Sequence, residues 1–517
     1  MSYSGQTYSI DCSKGGLTAN PNIDAIPAYQ MVAARNINIH ENGRGKRGGT
    51  AKVNASVGYG SSQIMGGFDY TRLNGGQSLV VGTTAGNIYQ NATTTIKTGL
   101  TTGKYFNFEV FGNELYICNS ANIPQTWDGV VASASNITNP AADWTGSNYP
   151  IQMIKHGRGN SERLWAILPS GVYASADGNG KEFVTGVIYI PISTNDGSGL
   201  TGVVEFGDRL ICFGKRTSFI IDDASLTTAD WGFESAIWEG GVSHHRLIVK
   251  TPNDVICMMD DGNIYSITAV QSYGDYKTVS ITKPSWIDKW IRDNCDLGQI
   301  DKFHAIYDPE LRLIRWFVVR NGQTQVDTCL VYFIDRGPEE GWVIHDNQSY
   351  ASGMKASASW VYHKIPPEHH SFYIYTGDYS GFVWDLEETN KNDDNNAYYA
   401  GFKTARMTFD NPRLTKRYDK GWAITQVEGN YNLYIKTWID GVEQTEQTID
   451  LSGTGGIWGI NTWNNFVWGG DEMIDKTFDI GEKGKRIQFE VYNSAVNQDF
   501  FISQLLIDFK SLSNRPS

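Results

Sequence analysis

The sequence predicts an all-β protein, a six- or seven-bladed β-propeller followed by a β-sandwich-like domain at the C-terminal end. Three observations carry this. A hairpin unit recurs through most of the chain: a polar turn, a short apolar strand, a second turn near glycine, and an aromatic or β-branched return strand. Its apolar anchors, Leu79, Leu115, Leu164, Leu210, Val255, Leu313 and Phe372, are separated by 36, 49, 46, 45, 58 and 59 residues. A period of roughly 40–50 residues with four short strands per unit is the propeller pattern. Composition agrees, because aromatics make up 13% of residues and there are 55 glycines against only 19% charged residues. Aromatics pack on pleated half-buried surfaces, and glycine supplies the positive-φ turn positions. Helical signal is scarce.

Taken in order, residues 1–54 carry no repeat and read as an N-terminal arm. The arm ends in Asn42-Gly43-Arg44-Gly45-Lys46-Arg47-Gly48-Gly49-Thr50, a flexible basic stretch within an acidic chain. Arg44, Lys46 and Arg47 are the candidate contact for an acidic partner; a solvated loop is the plainer alternative. Residues 55–388 form the propeller. Its clearest second strands are Gly112-Asn113-Glu114-Leu115-Tyr116-Ile117-Cys118, Glu162-Arg163-Leu164-Trp165-Ala166-Ile167, Gly207-Asp208-Arg209-Leu210-Ile211-Cys212-Phe213 and Asn253-Asp254-Val255-Ile256-Cys257-Met258. Return strands follow as Gly86-Asn87-Ile88-Tyr89, Gly171-Val172-Tyr173, Gly262-Asn263-Ile264-Tyr265 and Gly381-Phe382-Val383-Trp384. The best helix candidate is residues 284–291, where Trp286 and Trp290 share one face. Residues 389–396, Thr389 to Asn396, contain no apolar side chain and read as an interdomain linker. Residues 397–517 alternate apolar and polar positions at a different spacing, as in Tyr431-Asn432-Leu433-Tyr434-Ile435-Lys436-Thr437-Trp438, which suits a sandwich with one face buried.

Net charge is −13. Nucleic-acid binding is driven by Lys and Arg releasing counterions, so a DNA-gripping role is disfavoured, while a role beside DNA stays open. No apolar run reaches the roughly 18 residues of a spanning helix. Met1-Ser2-Tyr3-Ser4-Gly5-Gln6 lacks the basic and apolar regions of a secretory signal. Six cysteines are scattered without a CxxC pair, and Cys118, Cys212 and Cys257 share one strand position of the repeat. They read as small buried hydrophobes, so folding in a reducing cytoplasm is expected.

Chemistry-bearing patterns are weak. Tyr173-Ala174-Ser175-Ala176-Asp177-Gly178-Asn179-Gly180 resembles the Asp-box turn of sialidase propellers, which is structural even there. The doublets His244-His245 and His369-His370 cannot offer two ligands to one metal from an extended strand, since neighbours point to opposite faces. Asp260-Asp261-Gly262 is a hairpin turn. Asn392 to Asn396 lacks an EF-hand pattern. No GxSxG or Walker loop is present, and Gly43-Arg44-Gly45-Lys46-Arg47-Gly48 lacks the βαβ context of a dinucleotide site. No catalytic, cofactor-binding or metal-ligating residue is therefore nominated, and no enzymatic activity is expected.

Propellers serve as enzymes, scaffolds and binding platforms alike, so the fold leaves function open. The block Gly202-Val203-Val204-Glu205-Phe206-Gly207-Asp208-Arg209-Leu210-Ile211-Cys212-Phe213-Gly214-Lys215-Arg216-Thr217-Ser218-Phe219-Ile220 resembles the central block of tail nozzle proteins of short-tailed bacteriophages. These are also called tail hub or packaged-DNA stabilisation proteins. Asn36 to Thr50 is similar to that family's opening, with Gly48-Gly49 where the family has Pro-Gly, and Gly484 to Phe509 resembles its closing sandwich. The resemblance implies a structural virion protein of a podovirus-like phage. It would form a homohexameric ring below the portal and adaptor, close the DNA channel, and permit genome ejection. Its partners would be the adaptor (head-to-tail connector), a tail fibre, spike or needle protein, and genomic DNA passing without sequence-specific binding. Its location would be the virion tail, after assembly in the host bacterial cytoplasm. The alternative is a carbohydrate-binding or glycoside-hydrolysing propeller.

Overall fold

The computed structural model describes residues 5–512 except 55–57, 159–160, 226, 237, 239, 271–274, 364–371, 410, 427 and 453–472. Seven four-stranded units make a propeller. The innermost strands are Ile64–Thr71, Asn107–Phe111, Gln152–Arg158, Leu200–Phe206, Ile248–Lys250, His304–Asp308 and Ala358–His363, for blades 1 to 7. Each touches the next, and the seventh returns to the first, so the ring closes. All seven apolar anchors lie in second strands, one per blade: Gln77–Thr83, Glu114–Cys118, Ser161–Leu168, Arg209–Gly214, Val255–Met258, Leu313–Val318 and Phe372–Gly377.

Local chemistry explains the hairpins. Between the first two strands of blade 4, Gly207 and Asp208 both take positive φ, 58° and 60°, the backbone of a tight turn whose twist matches the flanking strands. Closure explains the glycines of blade 1. A Cβ at Gly67 would lie 2.5 Å from the indole of Trp360 in blade 7, so only glycine lets the first and last blades meet.

The two widest anchor spacings hold inserted elements. A helix, Ile287–Asn294, and a 3-10 turn, Leu297–Lys302, stand between blades 5 and 6. The helix starts later than the sequence suggests. Trp286 is its left-handed N-cap at φ 61° and is 41% exposed, so it does not share a helical face with Trp290.

The described residues of the N-terminal segment do not form an arm. Its strands Gln6–Asp11, Met31–Arg35, Ile37–His40 and Gly43–Lys46 enter the C-terminal sandwich, and Gly49–Lys52 becomes the outer strand of blade 7. The physical reason is apolar content outside the repeat: Met31, Ala34, Ile37 and Ile39 are all buried. One sandwich sheet continues the outer strand of blade 6, Trp342–Asp346, through Met31–Arg35, Ala400–Thr404, Ile487–Asn493 and Asn432–Ile439. The other orders Ile37–His40, Gly43–Lys46, Phe501–Ser511, Lys416–Gln426 and Met473–Gly484. Asn432–Ile439 alternates buried and half-buried side chains after its first residue, as a one-faced strand should. A single apolar cluster runs from Ile211 and Phe317 of the propeller to Phe489 and Leu505 of the sandwich, so the two parts share a core.

Candidate functional site

The candidate partner contacts Arg44, Lys46 and Arg47 lie inside this shared core, with relative exposures of 0%, 2% and 0%. They are not a flexible basic patch. The Arg47 guanidinium donates to both oxygens of Asp393, at 3.0 and 2.7 Å, and its Nε to Asn36 Oδ1 at 2.9 Å. It also lies 4.0 Å from the centroid of the Tyr398 ring. Asp393 further accepts from Thr50 Oγ1 at 3.0 Å and Asn347 Nδ2 at 2.8 Å. Arg44 Nη2 donates to the main-chain oxygens of Lys14 and Tyr29. Lys46 Nζ donates to Ala495 O at 2.9 Å and faces the Tyr398 ring, and burial pushes its ammonium down to about 7. The expected linker therefore supplies the counter-charge. Its polarity is spent on internal bonds, with Asn392 and Asp393 buried. This knot ties the N-terminal strands, propeller and sandwich together and has no surface to offer a partner.

The solvent-reaching site is the propeller channel. Opposite the apolar anchors, the inner strands place Asp69, Val110, Lys155, Glu205, Lys250, Asp308 and His363. Six of these seven are titratable, and Lys155, Glu205 and Lys250 line a cavity of about 450 Å³ with Glu109 and Gln152. This cavity reaches from His245 and Ile248, where the inner strands begin, to Glu205 and Lys250 at the far mouth, towards which they run. His156 is buried beside it, its Nδ1 2.9 Å from Glu205 Oε1 and its Nε2 2.9 Å from Asp223 Oδ2. Both partners are acceptors, so both ring nitrogens donate and the ring is an imidazolium. Burial would lower the His156 pKa, but the two carboxylates outweigh it and raise it. For Glu205, burial is outweighed by hydrogen bonds to His156 and Lys250, and its pKa falls. Glu109 accepts from the main-chain N–H of Val110 at 3.1 Å, but burial outweighs this and pushes it up to about 7.

The near mouth, where the inner strands begin, is different. A cavity of about 200 Å³ is lined by Gly66 and Gly67, Asn107, His245, Arg246, His304 and Ser359, and its lining contains no carboxylate. His245 begins a 3-10 turn, His245–Leu247, not a strand. The two rings are therefore not forced to opposite faces, and His244 and His245 both lie in the field of Arg246. His369 and His370 lie outside the described residues. Among the described residues no group of three or more His, Cys, Asp or Glu is placed to hold a metal ion.

The other patterns are structural. The Asp-box-like turn is held by Ser175 Oγ, which accepts from Leu164 N at 3.0 Å, and by Asp177, which accepts from Ser161 Oγ at 3.0 Å. Asp261 accepts from Asn263 N at 2.9 Å across the Gly262 turn. All six cysteines are buried thiols, with Cys118, Cys212 and Cys257 in the second strands of blades 2, 4 and 5. No helix of the described residues is long and apolar enough to cross a membrane.

No family profile matches the sequence, and no curated protein matches it. Similar solved structures include YCF48 bound to D1 peptide, at 10% identity and a TM-score of 0.38 over 66% of this chain and 95% of that one. YCF48 from Cyanidioschyzon merolae is similar at 10% identity and a TM-score of 0.38, over 66% of this chain and 98% of that one. BBS1N in complex with ARL6DN is similar at 11% identity and a TM-score of 0.40, over 67% and 99%.

Proposed function

We propose that this chain is a structural virion protein, the tail nozzle subunit of a short-tailed bacteriophage, acting as a sixfold ring around the exit of the DNA channel. One observation carries the reading furthest. The three segments that resemble the nozzle family occupy coherent places in the fold. Residues 202–220 span three strands of blade 4. Residues 36–50 and 484–509, far apart in sequence, are hydrogen-bonded neighbours in the sandwich, where Arg44 pairs with Ile502 and Gly45 with Phe501. A rigid body of this kind suits a permanent assembly, and a net charge of −13 per chain gives threaded DNA little counterion-release attraction.

Subunit contacts would have to offset like-charge repulsion with apolar area. Two turns of blades 1 and 2 present Leu73, Val130 and Val131 at 90%, 72% and 50% exposure. The turns touch, since a Cβ at Gly129 would meet the Arg72 side chain at 2.7 Å. Such an exposed corner is a candidate ring contact. Negative-stain microscopy of the full chain at low salt and at about 0.5 M salt, where charge repulsion is screened, tests the proposal. Sixfold rings are expected at the higher salt, and Leu73→Asp with Val130→Asp should abolish them. Single propeller discs under every condition would argue against the ring.

A glycoside-hydrolysing propeller has one observation in its favour. Glu109, held up to about 7, shares the far-mouth cavity with Glu205, whose pKa is lowered, and two carboxyls driven apart in this way can divide acid and base roles. Turnover of aryl glycosides that disappears in Glu109→Gln would support that reading over the nozzle.

A further inference from the structure

The near mouth holds three buried nitrogens, on Arg246, His304 and His244, that have no hydrogen-bond partner among the described residues. Arg246 sits with its guanidinium 3.3 Å from the centroid of the Tyr105 ring and gives Nη2 to the main-chain oxygen of Asp301. Its Nη1 is buried without a hydrogen-bond partner among the described residues. His304 is 2% exposed and stacks on Phe317 at 4.7 Å, and its Nε2 is buried and unpartnered in the same way. His244 donates Nε2 to Ile300 O at 2.8 Å, and its buried Nδ1 has no partner among the described residues. Leaving such groups dry costs roughly 1–3 kcal/mol each, more for a charged one, so an unfilled cluster is expensive unless something fills it.

We propose that this mouth is a binding site for a small tetrahedral oxyanion of the sulfate or phosphate class, held by Arg246 Nη1 and by His304, whose Nε2 takes up a proton from water as the anion enters. The chemistry follows from what faces the cavity. The charged and titratable groups around His304 and Arg246 are His244 and His245 before blade 5, Asp301 before blade 6, Tyr105 before blade 2 and Tyr379 of blade 7. Burial, and then the Arg246 charge, pushes His304 down to about 3, so without an anion the ring is neutral. An oxyanion beside it reverses the charge term and lets Nε2 carry a donor proton. Asn107 and Ser359 add neutral polar groups to the same lining. Room of about 200 Å³ admits an ion of a few heavy atoms and excludes a base-paired nucleic acid. The inference stands whether or not the chain forms a ring.

Isothermal titration of the full chain with sodium sulfate, whose charge does not change between about pH 5.5 and about pH 7.5, tests it. We expect one saturable site, bound about tenfold more tightly at the lower pH. Comparing buffers of different ionisation enthalpy should show net proton uptake. Arg246→Met should abolish binding. Arg246→Lys, which keeps the charge and covers the case where the first variant fails to fold, should weaken binding about tenfold. His304→Asn should keep weak binding and lose the pH dependence. No saturable sulfate heat in the wild type overturns the proposal, as does unchanged affinity in Arg246→Lys or full pH dependence in His304→Asn.

Discussion

Two places in this molecule bury arginine, and they treat it in opposite ways. At the knot, Arg47 has a bidentate carboxylate, an asparagine oxygen, a carbonyl and an aromatic face. At the near mouth, Arg246 has the Tyr105 side chain, one carbonyl and the charge of Asp301, beside three histidines and with no carboxylate in the cavity lining. A buried cation with a complete set of partners is a fastener, and removing a partner leaves a charge stranded. A buried cation with an incomplete set is poised for something from outside, and the fold loses little when it goes.

The sharpest way to break the comparison is Asp393→Ala. It strands Arg47 in the core and orphans Thr50 and Asn347 as well. Equilibrium urea unfolding should show a loss of about 3–5 kcal/mol. Indifference to this substitution would mean that the knot is not what joins the two parts.

Lys46 sharpens it next. Its folded pKa, about 7, lies below the roughly 10.4 of an unfolded lysine. The unfolded chain therefore binds the extra proton between those values, and stability from this group rises with pH across that window. Below about pH 7 the whole cost of a buried ammonium is present. Unfolding of the wild type and of Lys46→Met should move closer together, or reverse in favour of the wild type, between about pH 6 and about pH 9.

His156 has the opposite sign. Its folded pKa is raised by Asp223 and Glu205, so its contribution is fully present below the unfolded value of about 6.5 and is lost as pH rises through the folded one. His156→Gln should therefore destabilise most in mildly acidic buffer and less in alkaline buffer, read by thermal melts across a pH series. The smallest loss belongs to Arg246→Met, for which we expect an unfolding free energy unchanged or raised by about 1–3 kcal/mol. A loss as large as that of Asp393→Ala would erase the contrast.

How much of this was legible in the sequence follows from which pairings are local. Leu79, Leu115, Leu164, Leu210, Val255, Leu313 and Phe372 each mark a blade because a blade is built from neighbouring hairpins. Gly49–Lys52 was not legible as an outer strand, because its partner, Val383–Glu388, lies more than three hundred residues away. Composition could not distinguish a solvated Arg44–Arg47 from a buried one either, since the carboxylate that completes Arg47 lies in a stretch that reads as linker. The channel residues had a partial signal. A titratable residue opposite six of the seven anchors, as at Asp69, Lys155, Glu205 and Lys250, breaks the apolar hairpin pattern at one fixed depth. The near-mouth cluster had none, because Arg246 and Tyr105 come from the connections before blades 5 and 2, while His304 opens the inner strand of blade 6.

The seventh blade sets a timetable. Gly49–Lys52 is made early and cannot dock until Val383–Glu388 exists, and Gln6–Asp11 waits for Phe501–Ser511. During synthesis these first strands have no edge to join, so the ring stays open until its last blade is made. Such long-range pairing folds slowly, because loop closure precedes any contact that rewards it. Once shut, Gln6–Asp11 and Phe501–Ser511 lie side by side, and a tug on either one loads a sheet that the other helps to hold.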